Sequence, residues 1–170
     1  MTRAGAAVGS LLFVAGAPGV MAGLLPYWIT NGWSGSAPTA VQIGGAMLLA
    51  AGLGVLAHTV FRFVTEGLGT PFPAAPTENL VVGGLYRYVR NPMYLGVIAT
   101  ILGQAAILGS SSLILYAAFF WLAVASFVKL YEEPTLAAKY GEPYAAYRRA
   151  VPAWIRRVTP WSGEIHAPPR

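Results

Sequence analysis

Cysteine is absent from the 170 residues of this sequence, which excludes disulfide bonds, thiolate metal sites and a cysteine nucleophile. Histidine occurs only twice, as His58 and His166, whereas a zinc site needs about four ligands drawn from cysteine, histidine and carboxylate side chains. We therefore expect no metal centre. His58 falls inside a long apolar run, where we interpret it as a packing or interfacial residue. A functional role is a second interpretation, because polar residues inside a membrane are often functional.

Charged residues are scarce, at 10% of the chain against about 25% in a typical soluble domain. They are missing altogether from Ala4 to Phe61 and from Asn91 to Val128. Because a membrane-spanning helix needs roughly 20 apolar residues, the first run can hold two spans and the second run a tight pair. The sequence therefore predicts an integral membrane protein.

The fold class that follows is all-α: a single membrane domain over residues 1–170, built as a bundle of four transmembrane helices. The predicted helices cover about residues 6–29, 40–64, 92–108 and 113–130. The second helix carries a series of small residues, namely Gly44, Gly45, Ala46, Ala50, Ala51, Gly52 and Gly54. Small residues let helices approach closely in lipid, so we expect this helix to pack tightly.

The basic residues indicate which way the bundle faces. All 11 of them lie at the N-terminus, between residues 62 and 90, or from Lys129 onward. Positive charge marks the cytoplasmic side of a membrane, so both termini of this multi-pass protein are predicted to be cytoplasmic. The net charge of +5 suits contact with membrane lipids. We expect no nucleic acid partner, because no basic residues interleave with aromatic ones in a soluble module.

A helical stripe follows the last predicted span. Its members are Leu136, Tyr140, Tyr144, Tyr147 and Val151, and Arg148, Arg149, Arg156 and Arg157 lie close by. The intervals of three and four residues predict a cytoplasmic amphipathic helix. We interpret it as an interfacial helix whose arginines meet anionic headgroups. The same helix could also cover a site.

The entrance of the third helix reads "GLYRYVRNPMYLG" (Gly84 to Gly96). Asn91 is a preferred N-cap residue and Pro92 suits the first helical position, so we expect the helix to begin here. A helix start attracts anions, and Arg87 and Arg90 could clamp a carboxylate or phosphate beside it. The other interpretation is that the arginines snorkel and the tyrosines form an aromatic belt at the interface.

The exit of the fourth helix carries Glu132 and Glu133, followed by Pro134. Because the turn between the third and fourth helices is short, we expect two arginines and two glutamates to meet in one cytoplasmic pocket. Three explanations of the acid pair remain open. The glutamates could favour the start of a next helix at Pro134, they could pair with the arginines, or they could bind the cationic end of a zwitterionic ligand.

Two segments together, "LVVGGLYRYVRNPMYLG" and "YEEPTLAAKYGEPYAAYRRAVP", resemble the isoprenylcysteine carboxyl methyltransferase and phospholipid methyltransferase superfamily, over about residues 67–157. Members are small integral membrane enzymes that use S-adenosylmethionine. The resemblance implies a cofactor pocket of Gly84, Leu85, Tyr86, Arg87, Arg90, Pro92, Tyr94 and Glu133. It also implies catalytic roles for Arg90, Glu132 and Tyr94. Asn91 stands where many members have histidine, as in bacterial relatives, and asparagine cannot accept a proton at neutral pH.

The resemblance thus implies a bacterial-type plasma-membrane enzyme that transfers a methyl group from S-adenosylmethionine to a lipophilic or small acceptor. A carboxylate or thiolate acceptor would need only Arg90 for orientation, whereas an amine would need Glu132 or Glu133 as a base. Two alternatives from other classes are a non-catalytic membrane scaffold or carrier and, with less support, a membrane reductase. The sequence does not choose the acceptor.

Overall fold

A computed structural model describes residues 16–67 and 79–163. Helix α1 occupies residues 16–29, with a π segment at Val20–Leu24 and an α-helical end at Leu25–Ile29. The longer helices are α2 (Thr39–Arg62, extended by a π turn at Phe63–Gly67), α3 (Pro92–Leu108) and α4 (Ser111–Phe127). Two short helices follow, α5 (Glu133–Tyr140) and α6 (Glu142–Ala150), and a 3-10 turn at Gly84–Arg87 precedes α3. Within the described ranges no residue forms a β-strand, which confirms the all-α prediction there.

The predicted helix bounds are right at α3 and wrong at the end of α4. A π turn over Val128–Glu132 joins α4 to α5, so that one helix runs from Ser111 to Tyr140 instead of ending near residue 130. In this turn the N–H of Glu133 bonds to the carbonyl of Val128. Pro134 lacks an N–H and normally breaks a helix. The wider π register shifts the hydrogen-bonding pattern just before the proline, and the helix continues through it.

Within residues 16–67 and 79–163, the helices Thr39–Glu66 and Ser111–Tyr140 are long and apolar enough to cross a membrane, and α3 is a shorter apolar helix. The predicted spans at 40–64 and 113–130 lie within the two long helices. Of the predicted span 6–29, residues 6–15 lie outside the described ranges. The number of four spans and the orientation of the chain therefore stay predictions.

Helices α2 and α3 approach so closely that their backbones nearly touch. A Cβ atom added at Gly52 would lie 2.6 Å from Thr100 Oγ1 and 2.8 Å from the carbonyl oxygen of Gly96. One added at Gly45 would lie 2.8 Å from the carbonyl oxygen of Gly103. Two of the small residues noted in the sequence thus make the tight packing that was predicted. Gly44 and Gly54, by contrast, have open space where a side chain would be.

Helix α1 is tied to this pair by buried polar bonds. The amide of Gln104, in α3, donates to the carbonyl of Ala22 at 2.7 Å and accepts from the indole N–H of Trp33 at 3.0 Å. The hydroxyl of Tyr116, in α4, donates to the carbonyl of Met21 at 2.8 Å. Such bonds satisfy polar groups that would otherwise be buried at a cost, and they fix α1 against α3 and α4.

The C-terminal stripe forms two helices rather than the single predicted one. Gly141, with φ of +59°, separates α5 from α6, because this backbone conformation suits glycine and interrupts an α-helix. The stripe nevertheless packs into one cluster, in which Tyr144, Tyr147 and Val151 are buried against Leu136 and Tyr140. The Tyr147 hydroxyl donates to the carbonyl of Tyr86 at 2.7 Å. This bond places α6 against the segment that leads into α3.

Candidate functional site

Arg90 and Glu133 meet at the foot of the α3–α4 hairpin, as the short turn predicts. The Arg90 Nη1 atom lies 2.6 Å from Glu133 Oε1, and the two side chains are 12% and 9% exposed. Arg90 Nε donates to the carbonyl of Val151 at 2.9 Å, and its backbone N–H donates to the carbonyl of Pro152 at 2.9 Å. The guanidinium is therefore held from both sides, by the end of the long helix and by the chain after α6.

A second guanidinium, which sequence reasoning missed, completes this ion pair. Arg148 Nη2 lies 2.8 Å from Glu133 Oε2, with the arginine side chain 53% exposed. The Tyr144 hydroxyl lies 3.4 Å from Arg90 Nη1. Both carboxylate oxygens of Glu133 thus face a cation. The signal in the sequence was the spacing of four between Tyr144 and Arg148, which places both on one face of a helix.

Glu132 takes a different partner from its neighbour. Its Oε2 atom accepts a hydrogen bond from the Tyr94 hydroxyl at 3.1 Å. The Tyr94 ring lies 6.4 Å from the ring of Trp154, which in turn lies 6.4 Å from that of Trp121. The expectation that both glutamates share one pocket with both arginines is therefore only half right. Glu133 pairs with arginine, whereas Glu132 lies in an aromatic neighbourhood.

Arg87 is directed elsewhere. Its Nε donates to the carbonyl of Trp161 at 2.6 Å, and its side chain lines a cavity of about 520 Å³ together with Gly84 and Leu85. Gly84 has φ of +57°, and a Cβ atom there would lie 2.3 Å from His58 Nε2, so the position suits glycine alone. The predicted cofactor residues therefore divide between this cavity and the polar cluster around Arg90 and Glu133.

Asn91 precedes α3 as predicted, and Pro92 occupies the first helical position. The expected side-chain cap is wrong, however, because the Asn91 amide makes no cap bond and donates to the carbonyl of Ala153 at 3.2 Å. The loop after α6 offers a carbonyl that captures this side chain. Asn91 thus joins α3 to the C-terminal segment.

Three tyrosines beside the cluster are held in their neutral form. Burial raises the pKa of Tyr86 well above its ordinary value, and the nearby Tyr147, Glu132 and Tyr94 raise it further. Burial likewise raises the pKa of Tyr144 and of Tyr147, although Arg90 opposes the shift in both. A phenol with a raised pKa stays a hydrogen-bond donor at physiological pH. The site therefore offers neutral donors beside a guanidinium and two carboxyl groups.

In residues 16–67 and 79–163, no group of three or more histidines, aspartates or glutamates is placed to hold a metal ion. The cluster instead combines a cation, acids and phenols within hydrogen-bonding distance of one another. Guanidinium groups bind carboxylates and phosphates through paired hydrogen bonds, and carboxylates bind amines and hydroxyls. The arrangement can therefore hold a zwitterionic, hydroxyl-bearing molecule.

The sequence profile of a family described as phospholipid methyltransferase matches residues 40–143, which is more than half of the chain and includes the Arg90–Glu133 pair. The match and the apolar helices define a methyltransferase of the membrane. The chain belongs to the phospholipid methyltransferase family, and the resemblance noted in the sequence is confirmed.

A curated relative, Protein-S-isoprenylcysteine O-methyltransferase of Schizosaccharomyces pombe, is 35% identical over 77 residues. These residues make up 45% of this chain and 32% of the relative, so the match spans about a third of the relative's length. No solved structure matches the chain. The similarity therefore supports the family, and the substrate has to be argued separately.

Proposed function

We propose that this protein is an S-adenosylmethionine-dependent methyltransferase that acts on a lipophilic or small acceptor. The observation that carries the proposal is the contact of Arg90 with Glu133 at 2.6 Å, beside the Tyr94–Glu132 pair. Both pairs lie within the residues that match the family profile. They bring a cation, two acids and an aromatic ring to the foot of one hairpin.

The polar cluster fits the chemistry of the methyl donor. S-adenosylmethionine has a carboxylate that suits Arg90, and amino and hydroxyl groups that suit Glu133. Its positive sulfonium suits the faces of aromatic rings such as those of Tyr94 and Trp154. When bound, the donor supplies the reactive methyl group. The residues of this chain would orient donor and acceptor and exclude water from them.

Besides its contact with the donor, Glu133 would position Arg90. Its carboxylate contacts Arg90 through one oxygen and Arg148 through the other, so it fixes the direction in which Arg90 presents its remaining N–H groups. Glu132 has a separate role in the proposal. With an amine acceptor it would take up the proton that the amine loses, whereas a carboxylate or thiolate acceptor needs no base.

The relative supports one class of acceptor among several. That protein's name assigns it O-methylation of an S-isoprenylcysteine, which is an acceptor with an apolar chain and a carboxylate. We include such a carboxylate among the candidates, together with thiols and amines. Asn91 argues against a base at its position, because its amide is engaged by the carbonyl of Ala153 and cannot take up a proton at neutral pH.

The proposal includes the topology read from the charges. Four spans with both termini cytoplasmic would place the Arg90–Glu133 pair on the cytoplasmic side, where the methyl donor is made. The arginines of α6 would then face the anionic headgroups of the same leaflet. Accessibility of single cysteines introduced into this cysteine-free chain tests the topology. Labelling of a cysteine in the 30–38 turn from the cytoplasmic side alone would contradict it.

Calorimetric titration of the purified protein with S-adenosylhomocysteine tests the proposed function. We expect binding to the parent protein and an affinity about tenfold or more lower in Arg90→Ala and Glu133→Ala, because each removes a charged hydrogen-bonding group. Tyr94→Phe provides a milder change that keeps the ring and loses only the bond to Glu132. Arg149→Ala is the matched control, since its ion pair with Glu142 is 67% and 74% exposed.

Two outcomes would contradict the proposal. Absence of binding heat at saturating S-adenosylhomocysteine would contradict the proposed donor site. Unchanged affinity in the Arg90, Glu133 and Tyr94 variants, with only their thermal stability altered, would favour a non-catalytic scaffold whose charges anchor the helices. Binding of a reduced nicotinamide in place of S-adenosylhomocysteine would favour the reductase alternative.

A further inference from the structure

The cavity beside Arg87 has a polar end and an apolar end. Its volume is about 520 Å³, within the range of about 300–1,000 Å³ typical of small-molecule sites. The polar end is formed by Arg87 and Tyr88 with His58, near the end of α2, and the apolar end by Ala51, Gly54 and Val55, which come earlier in the same helix. The cavity therefore has the two-part character of an amphiphile.

Among the described residues, positive charge predominates at the polar end. Arg87 is fixed through Nε, which donates to the carbonyl of Trp161 at 2.6 Å. Arg156 lies over the ring of Tyr88 at 5.0 Å and adds a second cation beside the same end. Glu66, an acid that the described part of the chain places near this end, is already engaged by an ion pair with Arg62 and by the backbone N–H of Gly83. An anionic group is thus the complementary ligand.

The apolar end is a shallow trough on the outer face of α2. It is lined by Ala51, Gly54 and Val55, and a Cβ atom at Gly54 would meet nothing within 4 Å. From Ala51 to His58 the helix advances about 10 Å at 1.5 Å per residue. This trough lies on one of the two helices that are long and apolar enough to cross a membrane, so an alkyl chain can lie along it while its head stays at the charged end.

We propose that this cavity binds one membrane amphiphile with an anionic head, whose phosphate or carboxylate contacts Arg87 and whose chain lies along Ala51 and Gly54. Neither Arg90 nor Glu133 lines this cavity, so the lipid contacts proposed here differ from the contacts proposed for the methyl donor at that pair. Exposed apolar surface alone would not define the ligand, but the positive charge at the Arg87 end selects one with an anionic head.

Gly54→Leu tests the site, because Gly54 lines the cavity and an added Cβ atom there meets nothing within 4 Å. Gly44→Leu is a matched control: it is on the same helix, has nothing within 4 Å of an added Cβ, and lies outside the cavity. Arg87→Gln removes the charge at the polar end. The parent protein and the three variants are titrated calorimetrically in a non-ionic detergent with soluble dihexanoyl phosphatidylglycerol, with dihexanoyl phosphatidylcholine and with inorganic phosphate.

We expect the anionic lipid to bind more tightly than the zwitterionic lipid and inorganic phosphate. Arg87→Gln should weaken it about tenfold or more, the loss of one charged hydrogen bond. Gly54→Leu should also weaken it, because the new side chain occupies space that the lipid chain needs, while Gly44→Leu matches the parent protein. Equal binding by Gly54→Leu and Gly44→Leu would overturn the proposal, as would equal affinity for inorganic phosphate. So would a Gly54→Leu chain that loses S-adenosylhomocysteine and keeps the lipid, since the cavity would then belong to the methyl donor.

Discussion

Glu133 contacts two arginines that differ in burial, and this difference makes the energetics of the site measurable. Arg90 is 12% exposed and Arg148 is 53% exposed, while the Glu133 side chain that they share is 9% exposed. Breaking a buried ion pair by removing one partner costs about 3–5 kcal/mol, whereas an exposed pair contributes about 0.2–1 kcal/mol. The coupling of Glu133 to Arg90 should therefore greatly exceed its coupling to Arg148.

We expect a double-mutant cycle of Arg90→Ala and Glu133→Ala to give a coupling free energy of about 3 kcal/mol, and the cycle with Arg148→Ala about 0.5 kcal/mol. In a chain of this length each 1 kcal/mol shifts the unfolding temperature by about 2–4 °C. Glu133→Ala should accordingly lower that temperature by roughly 6–12 °C, because it leaves the Arg90 charge buried without its carboxylate. Arg148→Ala should lower it by no more than about 2–4 °C.

Thermal unfolding in detergent, followed by circular dichroism, measures both cycles. Arg149→Ala serves as the control for losing a surface arginine of the same helix, and should match the parent protein within about 2 °C. If the two coupling energies were equal, burial would not be what determines the strength of the pair. If Glu133→Ala lowered the unfolding temperature no more than Arg149→Ala, the Arg90–Glu133 pair would contribute little to stability.

Two further changes address packing and protonation. Gly52→Ala should destabilise the protein by about 1–3 kcal/mol, because its Cβ would lie 2.6 Å from Thr100 Oγ1 across the α2–α3 contact. Gly44→Ala has open space around its Cβ and should not destabilise the protein. Thermal unfolding of the two variants tests this difference. Above pH 10 stability should fall, since the unfolded chain releases tyrosine protons near the ordinary pKa of 10.0 while burial keeps Tyr147 and Tyr86 protonated in the fold. Tyr147→Phe should make that fall between pH 9 and 11 shallower, and an unchanged slope would contradict it.

The start of α3 shows what the local sequence can predict. Pro92 has no N–H to lose at the first helical turn, so the helix begins where the sequence predicts, and Gly109 ends it in a left-handed conformation, with φ of +65°. The short turn that follows brings the entrance of α3 beside the exit of α4, where Arg90 meets Glu133. The side chain of Asn91 was not predictable in this way, because the carbonyl of Ala153 that it contacts lies 62 residues away.

The partners of adjacent or nearly adjacent residues were harder to predict from the sequence. Successive residues of a helix point about 100° apart, so Glu132 and Glu133 face different neighbours, Tyr94 and Arg90. Arg87 and Arg90 diverge for a related reason: the 3-10 turn that contains Arg87 ends before Arg90. Arg148 lies on α6, and only the break at Gly141 brings that helix back over the cluster.

Sequence by itself determined the helical class, the membrane character and the family, because these depend on composition, apolar run length and a motif that local chemistry makes recognisable. It also predicted that two arginines and two glutamates would meet at a hairpin foot, which is right for Arg90 and Glu133. Tertiary structure decided which of two arginines and which of two glutamates formed the pair, and that Arg148 joined them. Those choices depend on side-chain direction and on contacts between distant segments, which spacing along the chain does not specify.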